Sequence, residues 1–408
     1  MSAERRIPYA GSVHDEREIE AVVAVLRGGP LALRIGKNVK AMEQRVAELF
    51  AKRRGIMVNS GSSALYLAIE VLQLEPGCEI ITSPVTFSTD IAPMLRANLV
   101  PAYVDVTPDT FQIDTDRIEA MIGPKTGAIL APNLIGNAPD WDAIRAIADR
   151  HGLPVIEDSC DALGLTLRGT PTGSRADISL TSFALSHIIT AAGTGGMVCF
   201  DDDDMADRAL LLRRWGRRSE LQLFGSKKGV DKRFFSTIDG DLEYDNMFIF
   251  DEIGWNFEPC ELSAAFGLVQ LDKLAHNLAR RQRNFEIISS HFAQWPEFFT
   301  LPRLTPGVET GWHMFPLIIN SLAIRRADFQ QWMEAKGVDT RMVWTGNAAR
   351  QPAFKDRPFR QPPGGLPNAD RIMEWGVILP NNHALDDDDC HYIGECAGAF
   401  LARKGLGA

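Results

Sequence analysis

The stretch GAILAPNLIGNAPDWDAIRAIADRHGLPVIEDS, residues 127–159, decides the fold. Two short apolar runs flank a segment with apolar residues at helical spacing, the pattern of a strand, a crossover helix and a second, parallel strand. The alternation continues outward on both sides. IIT, PAYVDV, ISLTSF and GGMVCF read as further strands, and together they imply a mixed α/β domain with a mostly parallel sheet. Ligands of such sheets bind beyond the carboxyl ends of the strands. Thr86, Phe87, Asn133, Asp158 and Ser182 stand at those ends.

Upstream, EREIEAVVAVLRGG and NVKAMEQRVAELFAKRRG predict two surface helices between about residues 15 and 54. Downstream, residues 217–246 are polar, glycine-containing and longer than an ordinary connection, so a functional or interface loop is expected. A long helix is expected from near Glu261 through residue 292, leading into a smaller α/β domain that starts with the strand-like MFPLIIN. The expected division is a large domain over 1–270 and a small C-terminal one over 271–408. Aspartate runs at Asp201 and Asp386 suit helix N-termini, where carboxylates favour the macrodipole.

With 408 residues the chain can bury two cores. Its net charge of −10 carries no electrostatic footprint for nucleic acid. No stretch reaches the roughly 20 apolar residues of a membrane span, and the N-terminus lacks the apolar core of a signal peptide. A cytoplasmic location is therefore expected. Six cysteines without a CxxC pair argue against a zinc site and a disulfide framework, so reduced thiols and no metal are expected.

Chemistry-bearing residues follow the strands. Asn59-Ser60-Gly61-Ser62-Ser63-Ala64 feeds a helical pattern and offers N–H and O–H donors to an anion, commonly a phosphate. The same residues read equally as a helix cap. Asp158 closes a buried-looking strand, where a carboxylate could hold a pyridine nitrogen protonated or simply cap a helix. Phe87 could stack on a flat ring or belong to the core.

These pieces join a longer resemblance. Gly61-Ser62-Ser63-Ala64, SPVTFS, VDVTPDTFQID, VIEDSCDALG, TSFALSHIITAAGTGGMV and GWNFEPCELSAAFGLVQL occur in the order and spacing of the DegT/DnrJ/EryC1/StrS family of PLP-dependent sugar aminotransferases. The chain resembles that family over nearly its whole length. The resemblance implies the type I aminotransferase fold, a homodimer with active sites at the subunit interface, and pyridoxal 5'-phosphate (PLP) as cofactor. It implies Ser62, Ser63 and Ser182 as phosphate ligands in and beside the Gly61 turn, Phe87 as the ring-stacking residue and Asp158 as the pyridinium partner. Asn256 resembles the residue that reaches the neighbouring subunit's cofactor phosphate.

One position departs from the pattern. Where typical members carry SF-x-x-x-K, with the lysine that forms an imine with PLP, Ser182-Phe183-Ala184-Leu185-Ser186 is followed by His187. No lysine occurs between Lys125 and Lys227. An imidazole moves protons near neutral pH but makes no stable imine, so His187 reads as a catalytic acid/base beside a noncovalently held cofactor. The same change marks the 3-dehydratases of nucleotide-activated 4-keto-6-deoxyhexoses. Trp215-Gly216-Arg217, TRMVWTGN, Arg350-Gln351-Pro352 and LPNADRIM also resemble that branch.

One group in the branch binds a [2Fe–2S] cluster through four cysteines after the WGR motif, and another takes its amino group from glutamate. Residues 213–259 contain no cysteine, which implies the cluster-free group. The expected activity is removal of the C3 hydroxyl of a nucleotide-linked 4-keto-6-deoxyhexose by the pyridoxamine form of the cofactor (PMP), regenerated with glutamate. Arg217, Arg341 and Arg350 are candidates for a diphosphate or carboxylate, and Trp344 and Asn347 for the sugar pocket. Each arginine also reads as a surface ion pair, and His313 and His383 as structural. The alternatives are a non-catalytic PLP- or sugar-binding relative, a PMP-dependent enzyme acting on another keto sugar, and transamination through Lys227 or Lys228.

Overall fold

The computed structural model describes residues 5–228 and 235–406. At its centre seven strands form one sheet: β1 (Arg54–Val58), β2 (Glu79–Thr82), β3 (Val100–Tyr103), β4 (Thr126–Pro132), β5 (Val155–Asp158), β6 (Ile178–Ser182) and β7 (Gly196–Phe200). Their spatial order is β1-β7-β6-β5-β4-β2-β3. Neighbours from β6 to β3 pair in parallel, and β7 runs antiparallel to both β1 and β6. Every residue of β5, β6 and β7 is buried. That explains why these strands read as continuous apolar runs rather than alternating ones, since helices cover both faces.

Successive side chains on a strand point to opposite faces. Ile56, Val58, Leu130, Ile156, Leu180 and Val198 pack on one face with α3 (Gly61–Glu70) and α6 (Asp203–Arg213). Ile81, Ile129, Ala131 and Val155 pack on the other with α5 (Trp141–His151). The start of α5 is fixed by the Asp140 side chain, which accepts from the Asp142 and Ala143 N–H groups, and its end by Gly152 at φ 63°. The N-terminal helices are α1 (Glu16–Arg27), opened by an Asp15/Glu18 capping box, and α2 (Lys37–Leu49), which buries Val39, Met42, Val46 and Ala47. α4 (Ser88–Arg96) follows β2.

The single long helix expected from Glu261 is in fact two, α8 (Glu261–Asp272) and α9 (Leu274–Phe292). Lys273 interrupts them with φ −92° and ψ −4°, and its ammonium reaches Asp15 at 3.1 Å and Glu18 at 2.5 Å. Its partners lie in α1 and its cap, so local periodicity carries no trace of the break. Part of the expected loop is also regular. It contains the short helix α7 (Ser219–Leu223) and a hairpin of Phe235–Ile238 with Leu242–Asp245, while residues 229–234 lie outside the described residues.

A second, antiparallel sheet orders β8 (Phe299–Thr300), β9 (Phe315–Ile319) and β10 (Gly376–Leu379) side by side. With α10 (Arg326–Ala335), α11 (Pro367–Trp375) and α12 (Asp387–Arg403) it surrounds Phe292, Phe315, Leu317, Phe329, Leu379, Ile393 and Phe400. That core also recruits Ile7. The aspartate runs do open helices: Asp202 caps α6 and Asp386 caps α12. Asp201 instead pairs with the buried Lys52 at 2.6 Å. Among the described residues no helix is long and apolar enough to cross a membrane.

Candidate active site

Beyond the carboxyl ends of β1, β4, β5 and β6 lies a cavity of about 520 Å³. At one end the chain leaves β1 through Ser60 into the first turn of α3. Ser60 is the N-cap, its hydroxyl accepting from the Ser63 N–H at 3.1 Å. Ser63 donates its own hydroxyl to Asn59 Oδ1 at 2.6 Å. The turn therefore divides its labour: Ser63 turns to the helix start, Ser60 both caps the helix and lines the cavity, and Gly61 and Ser62 line it. A Cβ on Gly61 would come within 2.6 Å of the Ser182 Cβ, so only glycine lets the end of β6 approach this closely. N–H groups of the first helical turn and the Ser62 and Ser182 side chains thus form a cradle for an anion.

The floor and rim come from the strand ends. Asp158, only 7% exposed, accepts the Cys160 N–H at 2.9 Å. Burial pushes its carboxyl up to about 6, opposed by the Cys160 hydrogen bonds and reinforced by Asp161. Buried Asp90 accepts from the Thr86 hydroxyl and is raised by burial and then by Asp158. A cationic partner against Asp158 would relieve both carboxyls. Phe87 stands 54% exposed at the rim, where its ring is free to cover a ligand. The Thr86 carbonyl accepts from the Thr345 N–H and hydroxyl, at 3.1 and 2.7 Å. Those bonds tie this rim to the segment carrying Arg341 and Trp344.

His187 stands at the other end, on a turn that follows β6. Phe183 is fully buried and its carbonyl accepts from Ala191 N–H and the Thr190 hydroxyl, which closes the turn on itself. Ile188 and Ile189 anchor it in the core. The His187 Nδ1 faces Asp161 Oδ1 at 3.7 Å, and His313 Nδ1 faces the same oxygen at 3.0 Å. Burial first, then the His313 and Arg281 charges, bring the His187 imidazole down to about 4, against the upward pull of Asp161. Burial would raise Asp161, but His313 and then His187 hold it below the ordinary carboxylate value.

Of the residues expected from sequence, the structure brings Gly61, Ser62, Phe87, Asp158, Ser182, His187, Arg341 and Trp344 to this one cavity. Five stand elsewhere. Ser63 has turned to its cap partners. Asn256 accepts from the Glu258 N–H outside its own chain's cavity. The Arg217 guanidinium lies over the Trp215 ring at 4.6 Å. Asn347 donates to Asp370 at 2.7 Å, and Arg350 pairs with the same carboxylate through two bonds. Asp370 engages the Asn347 and Arg350 side chains in a separate depression.

Asp161 and His313, by contrast, were missing from the sequence-derived site. Asp161 had a local signal, three residues past Asp158 in a turn at the sheet's edge. His313 had none, being brought in by the small-domain segment before β9. The expected structural role of His383 agrees with its bond to Arg281, whose Nε donates to Nδ1 at 3.2 Å.

Residues 12–397 match the model of the DegT/DnrJ/EryC1/StrS aminotransferase family. The chain belongs to this family. It is 33% identical over 414 residues to a dTDP-4-dehydro-2,6-dideoxy-D-glucose 3-dehydratase of Saccharopolyspora spinosa, covering 97% of this chain and 86% of the relative. Among solved structures, the Escherichia coli GDP-4-keto-6-deoxy-D-mannose-3-dehydratase with bound hydrated PLP superposes with a TM-score of 0.86 at 27% identity, over 96% of this chain and all of that one (100%). A GDP-4-keto-6-deoxymannose-3-dehydratase with a trapped PLP-glutamate geminal diamine gives 0.87 at 27% identity, with coverages of 96% and 100%.

This DegT/DnrJ/EryC1/StrS chain therefore has the PLP-dependent aminotransferase fold and is a PLP-dependent sugar-modifying enzyme. Its cavity suits that cofactor: an anion cradle at Gly61, a buried carboxyl short of a cation at Asp158, and an exposed ring at Phe87.

Proposed function

We propose that the protein is a PLP/PMP-dependent dehydratase that removes the C3 hydroxyl of a nucleotide-linked 4-keto-6-deoxyhexose. The observation that carries this reading is the placement of His187, facing Asp161 at 3.7 Å, in a cavity whose described lining includes no lysine. A proton carrier occupies the place of the family's amine nucleophile. PMP, when bound, supplies a primary amine for the keto group and an electron-accepting ring, which together make a hydroxyl on the adjacent carbon a leaving group.

The chain's residues have separable tasks. Ser62, Ser182 and the N–H groups of the Gly61 turn hold the phosphate. Asp158 keeps the ring nitrogen protonated by charge pairing, and Phe87 covers the ring face. With PMP bound, His187, neutral before the reaction, would take a proton from the cofactor's methylene carbon and pass it to the departing hydroxyl, which leaves as water, with Asp161 stabilising the imidazolium in between. With no lysine among the described lining residues, hydrolysis would free the product and then replace its nitrogen by oxygen, so that the amino group leaves as ammonia and the 4-keto group is restored. Arg341 is half exposed at the cavity mouth and lies over Tyr9 at 4.7 Å, so its guanidinium binds the substrate diphosphate.

Glutamate restores PMP, residues 213–259 supplying no thiolate for an iron–sulfur cluster. The enzyme works in the cytoplasm as a homodimer, in which Asn256 serves the neighbour's phosphate site. The test is incubation with PLP, glutamate and a panel of GDP-, CDP- and dTDP-linked 4-keto-6-deoxyhexoses, read by mass spectrometry. One member of the panel should lose its C3 oxygen. A panel left intact, or converted only to amino sugars, contradicts the proposal.

A further inference from the structure

Beside the proposed base stands a second histidine to which that chemistry gives no task. His313 is 1% exposed. Its Nε2 lies 2.7 Å from the Ser186 carbonyl oxygen and its Nδ1 3.0 Å from Asp161 Oδ1. The Ser186 carbonyl only accepts, so Nε2 donates to it, while Nδ1 faces the Asp161 carboxylate. The ring also stacks on His187, with centroids 5.3 Å apart and planes 21° from parallel. On its far side Trp344 meets it edge-on at 5.7 Å.

The backbone is arranged to keep the two histidines together. Arg281 of α9, 1% exposed, donates to the main-chain carbonyl of His313 at 2.7 Å and to that of His187 at 3.2 Å. The His313 N–H donates to Ile135 at 2.9 Å. Gly136, at φ +85°, permits that approach, since a Cβ there would meet the His313 nitrogen at 2.4 Å.

We propose that His313 is a positioning residue for His187: it pins the His187 turn through the Ser186 carbonyl and orients the Asp161 carboxylate that the His187 ring faces. This rests on the reading of His187 as the base. The charged and titratable groups that face His187 are His313 before β9, Asp161 after β5 and Arg281 of α9; Asp158 and Tyr9 line the same cavity. Among them His313 combines a cationic influence on the ring with a grip on its turn. Two effects follow from its removal: the His187 ring loses its fixed orientation, and its proton affinity rises.

The test is a histidine-ring NMR titration of the PMP-loaded enzyme, with the His187 signal assigned by its absence in His187→Gln. In His313→Gln an amide can still donate to Ser186 but carries no charge, whereas His313→Leu loses both functions. His187 should bind its proton roughly tenfold more tightly in both variants, about one pH unit. Its ring signal should broaden in the leucine variant alone, and kcat should fall with KM little changed.

A wild-type readout covers a variant that misfolds: the His313 Nε2 hydrogen, bonded to the Ser186 carbonyl, should exchange slowly with solvent. A His187 titration identical to wild type in a folded His313→Gln, or fast exchange of the His313 Nε2 hydrogen, overturns the proposal. The NMR result needs no sugar. Titration shifts without dehydration of any panel sugar would leave this inference standing and remove the dehydratase reading.

Discussion

The two ends of the cavity are built differently. The anion end comes from one contiguous turn, residues 60–63, closed by Ser182, and its donors are backbone and hydroxyl groups. The proton end comes from three distant segments: Asp161 after β5, His187 after β6 and His313 before β9, with Arg281 of α9 behind them. Cofactor binding needs fixed dipoles that helix geometry supplies locally. Proton transfer needs charges balanced against one another at 3–4 Å, and only tertiary structure assembles those. A mutation at the first end should therefore act through cofactor affinity, and one at the second through turnover and its pH dependence.

The largest expected effect is at the proton end. His187→Gln removes the proton carrier and should lower kcat by about 10²–10⁴-fold while leaving PMP binding intact, measured by steady-state kinetics and by cofactor absorbance. Equal loss of cofactor affinity would erase the contrast between the ends. At the anion end, Gly61→Ala forces a Cβ against Ser182. Overpacking of that kind costs about 1–3 kcal/mol, so equilibrium dialysis should show weaker PMP binding with kcat nearly unchanged at saturating cofactor.

The mouth gives a smaller effect. Arg341→Ala should raise KM for the nucleotide sugar about tenfold through a lost charge-assisted contact, whereas Arg350→Ala, which breaks only the pair with Asp370, should leave KM alone.

The mildest effect is on the pH profile. With the His187 pKa near 4, the imidazole is neutral and competent at every pH above that value and is lost as a base only when pH falls through it. The acid limb of kcat/KM should therefore lie near pH 4 rather than near the ordinary histidine value of about 6.5. A limb at the ordinary value would mean that burial and His313 do not govern the base.

The same contrast explains what could be read from the sequence. Strands β2 to β7 and helix α5 were visible because strands buried on both faces are uniformly apolar and the covering helices keep a 3.6-residue period. Asp158, Ser182 and His187 were visible because the place just beyond a strand's end is a positional rule. The break at Lys273 was invisible, since it depends on Asp15 and Glu18 some 250 residues away. The Asp370 partner of Arg350 and Asn347, some 20 residues further along the chain, was equally invisible. His313 looked structural until its two acceptors and its stacked neighbour came into view.

The central claim is that histidine in place of lysine turns the family's amino-group chemistry into loss of a hydroxyl. The most direct measurement follows the nitrogen of isotopically labelled glutamate through turnover with PLP and the accepted nucleotide sugar. Labelled ammonia should appear in step with an unlabelled 3-deoxy-4-keto sugar. Label retained on carbon 4 of the sugar would contradict it.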